Sequence, residues 1–226
     1  MRDTFCIIPA RSGSKGIKDK NIIEFKKKTL IRHSLDFSKK LKFNRKILVS
    51  TNSMRYLIKS KISKDFYDTL RPEYLSKDGS STISVVQHEF KKLDKKEQDL
   101  IKYILILQPT CPFRLVDDFN KAHNYLKKNR SDSVITINEI TEHPDRMIKL
   151  SRKKNITSFK GKSFNLKPRQ KLKKLYIRSG SMYFFKKENI FKKNIFGKKI
   201  IGIEVFDKFK INIDTHEDIL RAKRYF

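Results

Sequence analysis

The residues best suited to chemistry follow a short apolar run near the start of the chain. Residues 5–8 (Phe-Cys-Ile-Ile) predict a buried strand, and small, hydroxylated and cationic residues come directly after it. They are Ala10, Arg11, Ser12, Gly13, Ser14, Lys15 and Gly16, with Lys20 and Asn21 close behind. Glycine lets backbone N–H groups approach a ligand closely, and amides combined with cations are what a polyphosphate needs. The stretch therefore predicts a phosphate-binding loop, although it matches neither the Walker nor the dinucleotide-binding pattern. The alternative is a basic surface turn.

Length and cysteine content predict one domain in a reducing compartment. A chain of 226 residues is long enough for one sizeable α/β domain. No apolar run approaches the ~18 residues of a membrane span, and no signal-peptide pattern opens the chain. Two cysteines are too few for a disulfide framework, and Cys6 lies in the first predicted strand. We therefore expect a cytoplasmic protein with no membrane partner.

The net charge is +30, from 54 Lys and Arg against 24 Asp and Glu, which leaves a nucleic-acid-binding protein as one alternative. The cations are spread from end to end, and neither a zinc-finger spacing nor an aromatic RNA-binding signature is present. Abundant Ile, Asn, Phe and Lys with no Trp indicate the bias of an AT-rich genome. We therefore expect no specific nucleic-acid partner, and a charge that steers anionic substrates.

Predicted strands and helices alternate over the first 140 residues. The strands fall at 5–8, 46–51, 65–70 (the weakest), 103–107 and 133–138, and the helices at 29–41, 53–61, 82–93 and 117–128. This alternation implies a mostly parallel sheet with helices on both faces. Ligands of such sheets sit beyond the carboxyl ends of the strands. Arg71 and residues 108–114 also follow predicted strands, so we expect them to converge with residues 10–21.

The alternation fails between residues 141 and 176. This part is rich in lysine, contains Pro144 and Pro168, and predicts short strands and loops. Its apolar residues predict partial burial, and they are Met147, Ile148, Leu150, Phe159, Phe164 and Leu166. We interpret it as an excursion from the core and a candidate subunit interface, the alternative being a disordered linker. The core resumes with strands at 181–185 and 200–205 and a final helix whose apolar positions include Ile219, Ala222 and Phe226.

Short motifs spread in order along nearly the whole chain point to a family. They are residues 8–16 with Lys20-Asn21, Val49-Ser50-Thr51, Arg71-Pro72 with Leu75 and Asp78, Leu107-Gln108-Pro109-Thr110 with Pro112 and Arg114, Pro168-Arg169-Gln170, and Ile213-Asp214-Thr215. Each is weak alone. As an ordered set they resemble the CMP-sialic acid synthetases, or acylneuraminate cytidylyltransferases.

The resemblance implies that CMP is transferred from CTP to the 2-hydroxyl of a sialic-acid-like nonulosonate, a 2-keto sugar acid, with release of pyrophosphate. It also implies a three-layer, mostly parallel α/β fold of the nucleotide-diphospho-sugar transferase type. Residues 1–226 would form a single domain, with 141–176 as a small dimerisation subdomain. We therefore expect CTP and a 2-keto sugar acid as partners, and a homodimer.

The resemblance further implies a set of site residues. Nucleotide contacts would come from Ala10, Arg11, Gly13, Ser14, Lys15, Lys20, Asn21, Arg71 and Thr82. Sugar contacts would come from Gln108, Thr110, Arg169 and Ser179. The catalytic groups would be Arg11, Lys15, Lys20 and Asp214, and Asp214 and Asn212 would bind Mg²⁺. Because in-line attack on the α-phosphate builds charge on oxygen atoms, cations and positioning do most of the work in such a reaction.

Two departures from the family pattern keep alternatives open. The family usually has Asp-x-Asp near the C-terminus, where this chain has Asn212-Ile213-Asp214, and Ser179-Gly180 replaces an Asn-Gly pair. A synthetase for Kdo or another sugar nucleotidyltransferase is therefore one alternative. A non-catalytic nucleotide-binding relative, motivated by Asn212, is another. Cys111 is interpreted as a small packed residue and Asp78 as a favourable charge before a helix.

Overall fold

Strands and helices alternate along most of the chain. The computed structural model describes residues 2–13, 16–161 and 168–225. The strands in those ranges are β1 (Thr4–Pro9), β2 (Glu24–Phe25), β3 (Lys28–Thr29), β4 (Asn44–Ser50), β5 (Tyr103–Ile106), β6 (Ser133–Glu139), β7 (Ile148–Leu150), β8 (Ile156–Ser158), β9 (Tyr176–Lys186) and β10 (Ile200–Glu204). The α-helices are α1 (Leu30–Lys40), α2 (Met54–Lys59), α3 (Thr82–Lys91), α4 (Lys95–Leu100), α5 (Val116–Lys127) and α6 (His216–Lys223).

A six-stranded sheet in the order β10-β6-β9-β5-β1-β4 forms the centre of the fold. β1 pairs in parallel with both β4 and β5, and Cys6 stands opposite Ile47 on one side and Leu105 on the other. β10 runs parallel to β6, whereas β9 is antiparallel to both β5 and β6. The predicted mostly parallel sheet is thus confirmed, with one reversed strand inside it.

The alternation of side chains along β1 builds a core on each face of the sheet. Cys6 and Ile8 belong to a cluster that includes residues of α1 and α5, such as Leu35 and Phe119. Phe5 and Ile7 belong to a second cluster with Val86 and other residues of α3. Helices therefore cover both faces, which gives the three-layer α/β architecture expected from the resemblance. No helix within the described ranges is long and apolar enough to cross a membrane.

The strand predicted at 65–70 is wrong. The structure has a short 3₁₀ helix at Lys64–Phe66, and no strand follows it before Arg71. β4 is the edge strand, and Phe66 and Tyr67 pack against the core without pairing with it. Asp68 instead forms an ion pair with Lys92 at 2.7 Å. With few apolar side chains to bury, this segment gains little from joining the sheet.

The excursion at 141–176 contains a small antiparallel hairpin of β7 and β8, separate from the main sheet. Partial burial was expected for its apolar residues, but Met147, Ile148, Leu150 and Phe159 are each between 41% and 68% exposed. Phe164, Leu166 and the terminal Phe226 lie outside the described residues. The hairpin thus presents an apolar surface that the other described residues leave exposed.

The loops after β1, β4 and β5 all leave the carboxyl edge of the sheet, as the sequence predicts for residues 10–21, Arg71 and 108–114. The C-terminal segment reaches the same edge, because the amide of Ile213 donates to the carbonyl of Thr110 at 2.8 Å. A capping box between Thr215 and Asp218 then begins α6. The loop after β1 and the C-terminal segment therefore meet beyond the strands.

Candidate functional site

A polar cleft of about 300 Å³ opens at the carboxyl edge of the sheet. Its lining consists of Pro9, Arg11, Gly16, Lys20, Asn21, Arg71, Leu75, Ser80, Thr82, Val85, Gln108, Pro109, Thr110, Asn212 and Asp214. The cleft brings together most of the predicted site residues, and Asp214 is the only carboxylate in this lining. Cations and amide groups thus face one concave surface, which suits an anionic ligand.

The loop after β1 is shaped by hydrogen bonds and by glycine. The side-chain amide of Asn21 donates to the carbonyl of Arg11 at 3.0 Å and closes the loop. Gly13 has a φ of 74°, a backbone conformation that favours glycine. A Cβ at Gly16 would lie 3.0 Å from the carbonyl oxygen of Asp214, so glycine permits the close approach of the two segments.

Arg11 is held at the entrance of the cleft. Its Nη2 lies 2.7 Å from an oxygen of Asp78, and its Nη1 donates to the carbonyl of Ser76. Asp78 had been interpreted as a charge before a helix. The structure shows that it pairs with Arg11, and that the cap of α3 is the side chain of Ser81. The guanidinium remains about one-third exposed and accessible to a ligand.

Lys20 and Asp214 join the first loop to the C-terminal segment. Lys20 Nζ lies 2.5 Å from Asp214 Oδ1, and the Asn212 amide donates to Asp214 Oδ2 at 2.5 Å. The Cys111 thiol donates weakly to the side-chain Oδ1 of Asn212 at 3.5 Å. The carboxylate of Asp214 is therefore oriented from two sides while its side chain stays 54% exposed.

The backbone that presents Lys20 is fixed by its neighbour Asp19. Asp19 adopts a positive φ of 57°, which is uncommon outside glycine. Its carboxylate accepts hydrogen bonds from Tyr56 Oη at 3.0 Å and Arg55 Nη1 at 2.9 Å. The hydrogen bond from Tyr56 and the pairing with Arg55 lower the pKa of Asp19. These contacts anchor the loop to α2.

Arg71 forms part of the cleft wall and is only 5% exposed. Its Nη2 donates to the carbonyl of Ser50 at 2.5 Å, and its Nη1 donates to the carbonyl of Leu75 at 3.4 Å. Its backbone amide donates to Thr51, which ties the loop to the end of β4. Burial lowers the pKa of Arg71 to about 10, against a smaller opposing effect of the negative charge on Glu89. Its Nε has no hydrogen-bond partner among the described atoms.

Arg114 holds the loop that carries Gln108 and Thr110. Its Nη2 donates to the carbonyl of Gln108 at 2.5 Å and its Nε to that of Ser181 at 3.3 Å. Gly180 has a φ of 82°, and a Cβ there would lie 2.7 Å from Gln108 Oε1. The sequence showed Arg114 as a motif residue without a role, and the structure shows that it positions this loop.

Some predicted site residues are placed differently. The buried hydroxyl of Ser179 donates to Thr136 Oγ1 at 2.5 Å, so it faces β6 and is not part of the cleft lining. Ala10 is fully buried, with its amide hydrogen-bonded to Ser50, and Gly13 shapes the loop from outside the lining. Ser14, Lys15 and the side chain of Arg169 lie outside the described part of the structure.

Sequence reasoning gave no site role to some of the lining residues, which include Ser80, Val85 and Pro109. Ser80 stands directly before Ser81, the cap of α3, and beside Thr82, the predicted nucleotide contact. Val85 has the spacing of a core residue of α3, and it is indeed buried at 2% exposure. The sequence predicted one site residue in the first turn of α3, Thr82, and the fold adds Val85 from the same turn.

The cleft offers one acidic ligand for a divalent cation. The described residues contain no group of three or more His, Cys, Asp or Glu side chains that could hold a metal. Mg²⁺ commonly combines one or two carboxylates with substrate phosphates and water. Asp214 fits as the single anionic ligand, and Asn212 offers only an uncharged amide. Mg²⁺ at these residues remains a proposal.

The three-layer α/β fold is shared with proteins of known structure. The solved structure of CMP:2-keto-3-deoxy-manno-octonic acid synthetase complexed with CTP matches with a TM-score of 0.69 at 13% sequence identity, covering 99% of this chain and 98% of that one. The cytidylyltransferase family model matches residues 5–224, and the chain belongs to that family. The resemblance inferred from the ordered motifs is confirmed.

Curated relatives carry more specific names. The chain is 28% identical over 220 residues to an N-acylneuraminate cytidylyltransferase of Streptococcus agalactiae serotype III, covering 96% of this chain and 52% of the relative. It is 26% identical over 231 residues to a pseudaminic acid cytidylyltransferase of Campylobacter jejuni strain 81-176, covering 96% and 94%. The chain thus spans about half the length of the streptococcal relative.

The two cysteines are expected to be inert in the folded protein. Both are buried, and burial raises the pKa of Cys111 to about 11 and raises that of Cys6 as well. Because the thiolate is the reactive form, a disulfide-exchange reagent at pH 8 should label neither thiol until guanidinium unfolds the chain. Both should then react. Fast labelling of the folded protein that is lost in Cys111→Ser would show that Cys111 is a reactive thiol.

Proposed function

We propose that the protein transfers CMP from CTP to the 2-hydroxyl of a sialic-acid-like nonulosonate and releases pyrophosphate. The observation that carries the proposal is that three cations and two hydrogen-bonding side chains line the same cleft, namely Arg11, Lys20, Arg71, Gln108 and Thr110. Membership of the cytidylyltransferase family supports the choice of reaction. Relatives named for N-acylneuraminate and pseudaminic acid support the choice of a nonulosonate.

The nucleotide would occupy the side of the cleft formed by the first loop and α3. Arg11 and Lys20 would bind the triphosphate, with Asn21 and the glycines fixing the loop around it. Ser14 and Lys15 belong to this group by resemblance. Arg71, which is rigidly hydrogen-bonded at the end of β4, would contact the base, with Thr82 beside it.

The sugar acid would occupy the opposite side, beside Gln108 and Thr110. Arg169 would pair with the sugar carboxylate by resemblance, because a guanidinium suits bidentate binding of a carboxylate. Ser179 would act indirectly, since its hydroxyl is bonded to Thr136, while the adjacent Gly180 leaves room for the Gln108 side chain.

In this reaction the sugar 2-hydroxyl attacks the α-phosphorus and loses its proton to solvent, a new O–P bond forms, and the bond to the leaving pyrophosphate breaks. Charge then grows on the leaving oxygens, where Arg11 and Lys20 would stabilise it. Bound Mg²⁺ would neutralise part of the phosphate charge. Asp214, oriented by Lys20 and Asn212, would be its carboxylate ligand.

We also propose that the protein works in the cytoplasm without a specific nucleic-acid partner. The cations that line the cleft supply the local field that an anionic substrate needs. The remaining positive charge is distributed over the whole chain.

Pyrophosphate release over a grid of substrates tests the reaction. The four nucleoside triphosphates should be combined with N-acetylneuraminate, pseudaminate and Kdo. We expect release with CTP and a nonulosonate, and little with ATP, GTP or UTP. CTP alone should also raise the melting temperature with its concentration, because it binds only the folded state. Equal rates with all four nucleotides would contradict the proposal, and a preference for Kdo would select the alternative sugar.

Substitutions at the C-terminal segment test the role of Asp214. Asp214→Ala should remove most turnover while CTP still raises the melting temperature. Asn212→Asp should lower the Mg²⁺ concentration for half-maximal rate, because Mg²⁺ prefers anionic oxygen ligands.

The neighbouring Thr215→Ala is the matched control. It removes the cap of α6 and should cost only about 1 kcal/mol of unfolding free energy, with an unchanged Mg²⁺ dependence. A folded Asp214→Ala protein with normal turnover and normal Mg²⁺ dependence would show that Asp214 is merely part of the helix start.

We propose, finally, that the exposed hairpin of β7 and β8 packs against a second copy of the chain. Ile148 and Leu150 are 52% and 68% exposed, so Leu150→Lys should shift the protein from dimer to monomer in light scattering. The control is Ile58→Lys on α2, which replaces an equally exposed residue outside the excursion. A wild-type protein that is monomeric at micromolar concentration would refute the dimer.

A further inference from the structure

A buried carboxylate lies behind the wall of the cleft, outside the residues assigned a role above. Glu89 stands near the end of α3 and is 3% exposed. Its Oε1 accepts a hydrogen bond from the Ser50 hydroxyl at 2.7 Å, and its Oε2 lies 3.5 Å from Lys92 Nζ. A buried charge of this kind is costly unless it is paired and hydrogen-bonded.

Ser50 connects Glu89 to the cleft. Its hydroxyl donates to Glu89, while its backbone carbonyl accepts the 2.5 Å hydrogen bond from Arg71 Nη2. Ser50 is itself 1% exposed, at the end of β4, so water does not loosen either bond. Two hydrogen bonds, one to the hydroxyl and one to the backbone carbonyl of Ser50, thus connect Glu89 on α3 with Arg71 in the cleft wall.

Arg71 needs a nearby negative charge. Its guanidinium is buried, and its hydrogen bonds go to the uncharged carbonyls of Ser50 and Leu75. An isolated buried cation is strongly disfavoured, whereas an opposite charge close by favours the charged form. Glu89, whose negative charge favours the charged form of Arg71, supplies that charge from the side of α3, while Arg71 still lines the cleft.

Lys92 does not account for the burial of Glu89. Its ammonium is closer to Asp68, at 2.7 Å, than to Glu89, at 3.5 Å. If Glu89 served only to neutralise Lys92, a surface position beside Asp68 would avoid the free-energy cost of burying its carboxylate. The buried position instead places the carboxylate against Ser50.

We propose that Glu89 is a positioning residue for nucleotide recognition, which holds the Arg71 guanidinium in place and balances its charge through Ser50. The inference rests on the proposed function, in which Arg71 contacts the base. Glu89 itself touches neither substrate.

The test measures CTP and inorganic tripolyphosphate binding to Glu89→Gln by calorimetry. Glutamine keeps the shape and an acceptor for Ser50 but removes the charge. We expect the Kd for CTP to rise about tenfold. The Kd for tripolyphosphate should stay close to the wild-type value, because the triphosphate groups bind Arg11 and Lys20. The matched control is Glu97→Gln, which removes a carboxylate paired with Arg45 and should change neither Kd.

A double-mutant cycle with Arg71→Gln separates positioning from general stability. If Glu89 acts through Arg71, Glu89→Gln should add little to the loss of CTP affinity already caused by Arg71→Gln. Independent, additive losses would overturn the inference, and so would an equal weakening of CTP and tripolyphosphate binding. If Glu89→Gln does not fold, Ser50→Ala takes its place in the cycle, because it removes only the connecting hydroxyl.

Comparison of nucleotides distinguishes failure of the inference from failure of the proposed function. Wild-type protein that binds CTP and UTP equally would refute the proposed function, while the cycle would still measure coupling between Glu89 and Arg71 with either nucleotide. Selective CTP binding that Glu89→Gln leaves unchanged would refute the inference alone.

Discussion

The pairing of Lys20 with Asp214 is the interaction on which the site depends. It links a loop near the start of the chain to a segment near its end, and the close approach at Gly16 allows the two to touch. Neither segment forms a cleft by itself. Because the ion pair is partly exposed, it contributes only modestly to the free energy of unfolding. Its main effect is to fix the position of the Lys20 ammonium relative to the Asp214 carboxylate.

Around this pair, the cleft is built from side chains whose own surroundings are rigid. Arg71 and Arg114 are each bonded to backbone carbonyls at strand ends, and Asp19 is fixed by Tyr56. Such support matters because positioning supplies much of the acceleration in phosphoryl transfer.

Much of this arrangement could be predicted from the sequence, and the reasons for the exceptions are physical. Apolar runs predicted β1 and β5, because strands buried on both faces leave a strong local signal. The segment at 65–70 interrupts its apolar residues with Asp65, Asp68 and Thr69, so its local signal is weaker and it pairs with no strand. Ser179 was predicted as a sugar contact by motif, yet the register of β9 against β6 turns its hydroxyl toward Thr136. Glu89 gave no sequence signal, because a single Glu on a helix usually faces water.

The reversed direction of β9 has a consequence for how the chain can vary. β6 leaves the sheet at the carboxyl edge, and β9 re-enters at that same edge, where Tyr176 pairs with Glu139. Both ends of the intervening excursion therefore lie at the edge of the sheet where the cleft opens, whereas a parallel connection would have had to cross to the opposite edge. Insertions or deletions there can reshape the mouth of the cleft while every strand of the sheet keeps its register. The fold thus allows the excursion at 141–176 to vary in length while the six-stranded sheet stays constant.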